Sequence, residues 1–294
     1  MTIRYLVLGK TGYIAQAICK ELQSRDLPHV ALSRSVVDYT DMSCLDAHIS
    51  MRSDIYLRTK SPLNVINCAG YIGKPNVDAC EDKLSETVTG NSIFPARLAD
   101  LCKRRGIQLA HISSGCIYNG YDKTYTEECP SDFDFNNGSV YSGSKDLGEQ
   151  LIRHVSDRHF IFRLRIPFDH IPSPRNYITK MLTYDTLLDA VNSMSNRQDF
   201  AMAVVTLLEM EAPFGTYNIS NPGAMSTSQV IELIKEYISP EQEYTFFTNH
   251  EDFNKRVKAP RSNCVLDTSK MEKYIQIPPI QLSMEKAISQ YNKQ

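Results

Sequence analysis

Tyr141 and Lys145 stand four residues apart in "VYSGSKDLGEQ", a spacing that puts both side chains on one face of a helix. A lysine ammonium beside a phenol stabilises the phenolate and lowers its pKa, so the tyrosine can give or take a proton near neutral pH. Tyr-x-x-x-Lys alone is common by chance. It gains force from Ser114, at the end of the apolar run "QLAHISS", and from a glycine turn near the start of the chain.

That turn is "LGKTGYIA", with Gly9-x-x-Gly12-x-x-Ala15 joining a strand-like run to a helix-like one. In a dinucleotide-binding turn the glycines allow the tight bend and close approach to a pyrophosphate. The small third residue lets the helix pack on the strand, and the helix N-terminus faces the phosphates. Gly9, Lys10, Thr11, Gly12, Tyr13 and Ile14 are therefore cofactor-binding candidates, the alternative being a purely structural turn. "GKT" does not make a P-loop, which needs a further glycine where the chain has Arg4. After the next strand comes "ALSRS": Ser33 and Arg34 suit a ribose 2′-phosphate, with no carboxylate placed to repel it, so NADPH is the expected cofactor. Arg34 could equally be a solvated loop charge. Cys68, Ala69 and Gly70 close the strand "LNVINCAG" and join Tyr141 and Lys145 as cofactor-side candidates.

The elements that would carry these residues alternate. Strands are expected at 4–9, 29–34, 63–70, 108–114 and 159–165, and helices at 13–25, 91–106 and 144–155. Such alternation implies βαβ units, a parallel sheet and right-handed crossovers. The fold class is α/β: a doubly wound, Rossmann-type sheet over residues 1–165, followed by a smaller C-terminal substrate-binding lobe over 166–294. A segment near 196–220 is expected to return to the sheet. Beyond 166 the pattern loosens into proline and asparagine loops, "IPFDHIPSPRN".

Composition narrows the partners. The chain has 294 residues, 42% hydrophobic and 22% charged, with a net charge of −2. That balance, with no basic run among aromatics, argues against nucleic acid. No apolar stretch approaches membrane-spanning length and no signal peptide is visible. Eight cysteines show neither a C-x-x-C nor zinc spacing, so no metal is expected and reduced thiols in the cytoplasm are.

"GKTGYIA", "NCAGYIGKPNVDACE", "SSGCIY", "VYSGSK", "RIPF…PRNYITK", "NISNPG" and "APRSN" occur in order over nearly the whole chain. Together they resemble the bifunctional nucleotide-rhamnose synthase/epimerase-reductases of plants, within the extended short-chain dehydrogenase/reductase family. More distantly, they are similar to dTDP-4-dehydrorhamnose reductase and GDP-fucose synthase. The resemblance implies a UDP-linked 4-keto-6-deoxy sugar that is inverted at C3 and C5, then reduced at C4 by NADPH to UDP-L-rhamnose. It also implies a homodimer.

Protons on C3 and C5 are acidic only if the enolate oxygen at C4 is stabilised, a task open to Ser114 and Tyr141. A base must take a proton from one face and an acid return one to the other; a plain reductase needs neither. Cys116 lies two residues past Ser114, and if the strand continues that far both project to one face. Its thiolate could be the base where positive charge lowers its pKa. By resemblance the acid is Lys180 of "PRNYITK", where the fucose enzymes are thought to use a histidine. The alternatives are a structural thiol and a surface lysine. Asn76, in the loop with Lys74 and Asp78, and Asn91 are substrate candidates, although loop and helix capping are equally open to them. Arg175, Asn176 and Arg261 are candidates for the substrate diphosphate. Two other readings remain: a reductase without epimerase activity, which Cys116 argues against, and a non-catalytic NADP-binding regulatory subunit, which the intact Ser114, Tyr141 and Lys145 argue against.

Overall fold

The computed structural model describes residues 4–59 and 63–291. Six parallel strands form the central sheet: β1 (Tyr5–Leu8), β2 (His29–Leu32), β3 (Asn64–Asn67), β4 (Gln108–Ser114), β5 (His159–Leu164) and β6 (Gly215–Asn218), in spatial order β2-β1-β3-β4-β5-β6. Leu8 lies opposite Leu32 on one side and Asn67 on the other. The order reverses between β1 and β3, and open α/β sheets bind ligands outside the strand C-termini at that switch.

The two faces of the sheet are read by alternate residues. Tyr5, Val7, Ile66, Ala110, Phe160 and Phe162 point into one core, shared with the helices Tyr13–Ser24 and Arg197–Glu209. Leu6, Leu8, Val65, Leu109 and Ile161 point into the other, under the helices Met42–Thr59, Phe94–Arg105 and Val140–Val155. Burial on both faces explains why the strands read as continuous apolar runs. A third core gathers Phe168, Ile178, Met181, Met194, Val230, Ile234, Met284 and Ile288 beyond β5. The helix Arg197–Glu209 and strand β6 lie with the sheet, and the strand Cys264–Leu266 pairs with Gly120–Tyr125.

Several boundaries differ from expectation. The helix expected at 144–155 begins at Val140, because Ser139 caps it by accepting from the Ser142 amide. The helix expected from 91 starts at Phe94, after a π-helical turn at Thr89–Ile93. That turn presses against the helix Val140–Val155: a Cβ at Gly148 would lie 2.1 Å from the Asn91 carbonyl oxygen.

One buried network ties the helix Val140–Val155 to β4 and β5. The Glu149 carboxylate accepts from Ser113 Oγ at 2.6 Å, from Arg163 Nη2 at 2.6 Å and from Arg153 Nη2 at 2.6 Å. Arg163 also donates to the Tyr118 hydroxyl at 2.7 Å. Burial pushes the Glu149 pKa up, but the Arg163 charge and hydrogen bonds, with Arg153 and Ser113, outweigh it and hold the carboxyl at about 2. A carboxyl depressed from 4.5 to about 2 stabilises the fold fully above pH 4.5 and ceases to do so as pH falls toward 2. Glu149→Gln is expected to lower stability by about 3–5 kcal/mol, because it leaves the Arg163 charge buried and unpaired. Urea titration at pH 7 and at pH 3.5 checks this, with the gap between wild type and variant narrowing at the lower pH.

Candidate active site

Strand β4 delivers Ser114 to the C-terminal edge of the sheet. The chain then leaves the pleat: Gly115–Ile117 form a 3₁₀ turn, and the Ser114 hydroxyl accepts from the Cys116 amide at 3.3 Å. Cys116 therefore does not share a strand face with Ser114, contrary to expectation. The turn brings it to the same cleft by another route. Gly115 makes the turn possible, since a Cβ there would meet Leu266 at 2.7 Å. Ser114, Cys116, Tyr141 and Ser142 line one wall of a cleft of about 290 Å³, which Arg165, Tyr177, Met181, Tyr184, Leu187, Asn192 and Arg261 also line.

Protonation in this cleft is set by burial. The Tyr141 pKa is pushed well above its ordinary value, first by burial and then by Cys116 and Cys80, against the Ser114 hydrogen bond and the Arg175 charge. The expectation that Lys145 would lower it is not met. Lys145 is itself buried, donates to the Ile112 carbonyl at 3.3 Å and has its pKa lowered by burial. Tyr141 thus keeps its proton at neutral pH and is a donor to whatever oxygen it meets. Burial also pushes the Cys116 thiol up; the Ser114 hydrogen bond, the Arg165 and Lys145 charges and a Ser142 hydrogen bond pull the other way without prevailing. The low-pKa thiolate expected from the sequence is absent for the same reason. Lys180 moves down, through burial and the Arg175 and Arg261 charges. Burial is the largest cause of both shifts.

The glycine turn lies beside this wall, outside the first and third strands. Gly9 has φ +86°, and a Cβ on it would lie 3.0 Å from the Ala69 amide nitrogen. The Gly9 and Lys10 amides donate to the Leu32 carbonyl at 3.0 and 2.9 Å. No side chain caps the helix Tyr13–Ser24 at Gly12, so its first amides remain for an anion. A Cβ at Gly70 would lie 3.6 Å from Lys145 Nζ, which brings the Cys68–Gly70 segment, the glycine turn and Lys145 together. Thr11 and Arg34 are exposed, and the Ser33 hydroxyl hydrogen-bonds Ser35 at 2.8 Å. Tyr13 carries the Arg197 guanidinium 4.3 Å over its ring and Ile14 packs on the core. This shape fits a dinucleotide.

The substrate candidates divide. Arg261 lines the cleft and pairs with Asp78 at 2.8 Å. Arg175 stands near enough to act on Tyr141 and Lys180, and Lys180 follows Tyr177 and precedes Met181 on the helix Tyr177–Thr183, both lining residues. Asn76 accepts from the Asp78 amide at 2.8 Å, the loop-capping arrangement. Two candidates are corrected. Asn91 is fully buried, accepting from the Tyr71 amide and donating to the Tyr71 carbonyl and Ser144. Asn176 is fully buried as a helix cap, donating to the Asp169 and Ile171 carbonyls. Neither has a polar group left for a ligand. Arg165 and Asn192 went unnoticed in the sequence. The only signal was a second arginine just past a strand end, in "FRLR".

The RmlD substrate binding domain family matches residues 3–293. The chain is 30% identical to a bifunctional dTDP-4-dehydrorhamnose 3,5-epimerase/dTDP-4-dehydrorhamnose reductase of Arabidopsis thaliana, over 99% of this chain and 94% of that one. It is also 30% identical to the trifunctional UDP-glucose 4,6-dehydratase/UDP-4-keto-6-deoxy-D-glucose 3,5-epimerase/UDP-4-keto-L-rhamnose-reductase RHM1 of the same plant, of which it spans 42%. Among solved structures, the L780 UDP-rhamnose synthase of Acanthamoeba polyphaga mimivirus superposes with a TM-score of 0.86 at 26% identity, covering 99% of this chain and 100% of that one. A dTDP-4-dehydrorhamnose reductase of Bacillus anthracis in complex with NADP shares the fold, with a TM-score of 0.79 at 19% identity and 99% of each chain covered.

A thiol whose pKa is raised reacts only through its small thiolate fraction. Alkylation of Cys116 in the ligand-free protein is expected to quicken by about tenfold per pH unit from pH 6 to 8.5, followed by mass spectrometry of its peptide. A plateau at neutral pH would contradict the assigned direction.

Proposed function

We propose, on the footing that the chain belongs to the RmlD substrate binding domain family, that it is an NADPH-dependent 4-reductase and 3,5-epimerase of a nucleotide-linked 4-keto-6-deoxy sugar, taking UDP-4-keto-6-deoxy-D-glucose to UDP-L-rhamnose. The observation that carries the reading is the wall itself: a half-buried thiol, a protonated phenol and a serine hydroxyl facing one cleft beside a dinucleotide-type turn. UDP rather than dTDP follows the names of the trifunctional plant relative and the mimivirus structure.

Gly9, Gly12, the first amides of the helix Tyr13–Ser24, Ser33, Arg34 and the Cys68–Gly70 segment would hold the cofactor, with Tyr141 and Lys145 at its reactive end. NADPH, when bound, supplies the hydride for C4. The protein's own residues do the rest. Ser114 and Tyr141 donate hydrogen bonds to the C4 oxygen, so that negative charge from a departing C3 or C5 proton has somewhere to go. In the reduction, Tyr141 gives its proton to that oxygen. Lys145, tied to the Ile112 carbonyl and close to Gly70, would meet the cofactor from the side of the Cys68–Gly70 segment.

Cys116 and Lys180 move the C3 and C5 protons as a coupled pair, one loaded and one vacant. Burial lowers the Lys180 pKa first, and the Arg175 and Arg261 charges lower it further. A diphosphate between these arginines would neutralise them and favour the protonated form of Lys180, the acid that inversion needs opposite the Cys116 base. The homodimer is proposed too, supported by the apolar side chains Leu84 and Ile93 exposed beside the helix Phe94–Arg105.

Cys116→Ala is expected to abolish solvent deuterium incorporation at C3 and C5 while NADPH still binds. Exchange at the wild-type rate would remove Cys116 from its role. Arg34→Ala is expected to weaken NADPH by about tenfold, the loss of one charge-assisted phosphate contact of about 1.4 kcal/mol, and to leave NADH unchanged. Titration with both cofactors reads this, and equal weakening of the two would refute the 2′-phosphate contact.

A further inference from the structure

Three arginines are buried among the described residues: Arg163, Arg165 and Arg197. Arg163 pairs with Glu149 and Arg197 with Asp169. Arg165 has no carboxylate partner among the described residues. Its Nε and Nη2 both donate to Asn192 Oδ1, Nη2 donates also to the Ser262 carbonyl at 2.6 Å, and Nη1 donates to Ser262 Oγ at 2.9 Å and the Gly115 carbonyl at 3.4 Å. Every partner is neutral. The guanidinium is 3% exposed, and a buried charge without a counter-ion is costly. It has its hydrogen bonds and keeps its whole charge. It lines the cleft together with Ser114 and Cys116.

We propose that Arg165 is a positioning residue for proton transfer, a fixed cation whose unneutralised charge holds the thiolate of Cys116 when that residue acts as base. This rests on the epimerase reading above and adds a residue to it. The groups that act electrostatically on Cys116, or on which it acts, are Ser114 from the end of β4, Tyr141, Ser142 and Lys145 from the helix Val140–Val155, Cys80 from the helix Asp78–Glu81, Cys264 from the strand Cys264–Leu266, and Arg165 itself. Two of these are cations, and Lys145 is tied to the Ile112 carbonyl and the cofactor side. Arg165 is anchored through Gly115 and Ser262 to the same turn that carries Cys116, so charge and thiol move together. In the step itself a C–H bond at C3 or C5 breaks, its proton goes to the Cys116 sulfur, and the electron pair passes to the C4 oxygen as enolate. Negative charge leaves the sulfur and reaches Ser114 and Tyr141. Arg165 raises the fraction of sulfur that is charged beforehand. The Asn192 amide is what makes this possible, since it binds the guanidinium through oxygen without neutralising it.

The test reads Cys116 alkylation at pH 8 and C3/C5 deuterium exchange in three variants. Removing an opposite charge beside an acid raises its pKa by about one to three units. Arg165→Gln should therefore slow Cys116 alkylation by at least about tenfold and deuterium exchange in step. Arg165→Lys, which keeps the charge and loses the fork, should restore most of the alkylation rate. Asn192→Asp keeps the shape and adds a counter-ion, and should slow alkylation as Arg165→Gln does; it remains informative if Arg165→Gln fails to fold. Alkylation unchanged in folded Arg165→Gln or in Asn192→Asp would overturn the proposal. Because alkylation needs no sugar, it can stand even if Cys116→Ala leaves exchange intact, the outcome that would fell the epimerase reading alone.

Discussion

The buried ion pair between Arg163 and Glu149 fixes the geometry on which everything at the cleft depends. Glu149 lies one helical turn past Lys145, and two past Tyr141, on the same helix. Ser113, another of its partners, is the residue before Ser114. A single carboxylate thus binds the helix that carries the phenol and amine to the strand that carries the serine, with Arg163 of β5 closing the triangle. The linkage has no slack, because Gly148 lets the helix lie against the Asn91 backbone and Asn91 in turn pins Tyr71 above the cofactor-side loop. Breaking the pair would leave a stranded guanidinium in the core and free the helix to shift by the fractions of an ångström that catalysis does not tolerate.

Much of this was legible in the sequence. Strands buried on both faces declare themselves as apolar runs, and β4 runs over the same residues in the sequence reading and in the structure. The glycine turn was legible because Gly9 must adopt positive φ against Ala69, a demand only glycine meets cheaply. What was not legible came from contacts distant in sequence. Asn91 and Asn176 looked like ligand residues because an asparagine in a loop or at a helix start reads the same whether its amide faces a ligand or a backbone carbonyl. Their burial is decided by Tyr71 and Asp169, which no local pattern indicates. The direction of the Tyr141 and Cys116 pKa values was misjudged likewise: motif logic counts neighbouring charges, whereas desolvation depends on how deeply the fold closes around the group. Arg165 was missed because nothing near it in the chain distinguishes it from Arg163; only the partners do.

The corrected protonation states sharpen the chemistry. In the proposed reactions, a phenol that holds its proton is the acid that reduction at C4 requires and a donor to the enolate oxygen, so the same protonated residue enters both. In the proposed epimerisation, a thiol that holds its proton cannot be a base until charge in the cleft is rearranged, which would make that reaction conditional on substrate. Arginines that act on Lys180 from one side and a guanidinium that acts on Cys116 from another provide the means.

The central claim is that one cleft both inverts C3 and C5 and reduces C4. The most direct measurement is the NMR spectrum of the product formed from UDP-4-keto-6-deoxy-D-glucose and NADPH by the purified protein in D₂O, with no other enzyme present. The account expects UDP-L-rhamnose carrying deuterium at C3 and C5. A 4-reduced sugar that keeps the gluco configuration and protium at both carbons would contradict it.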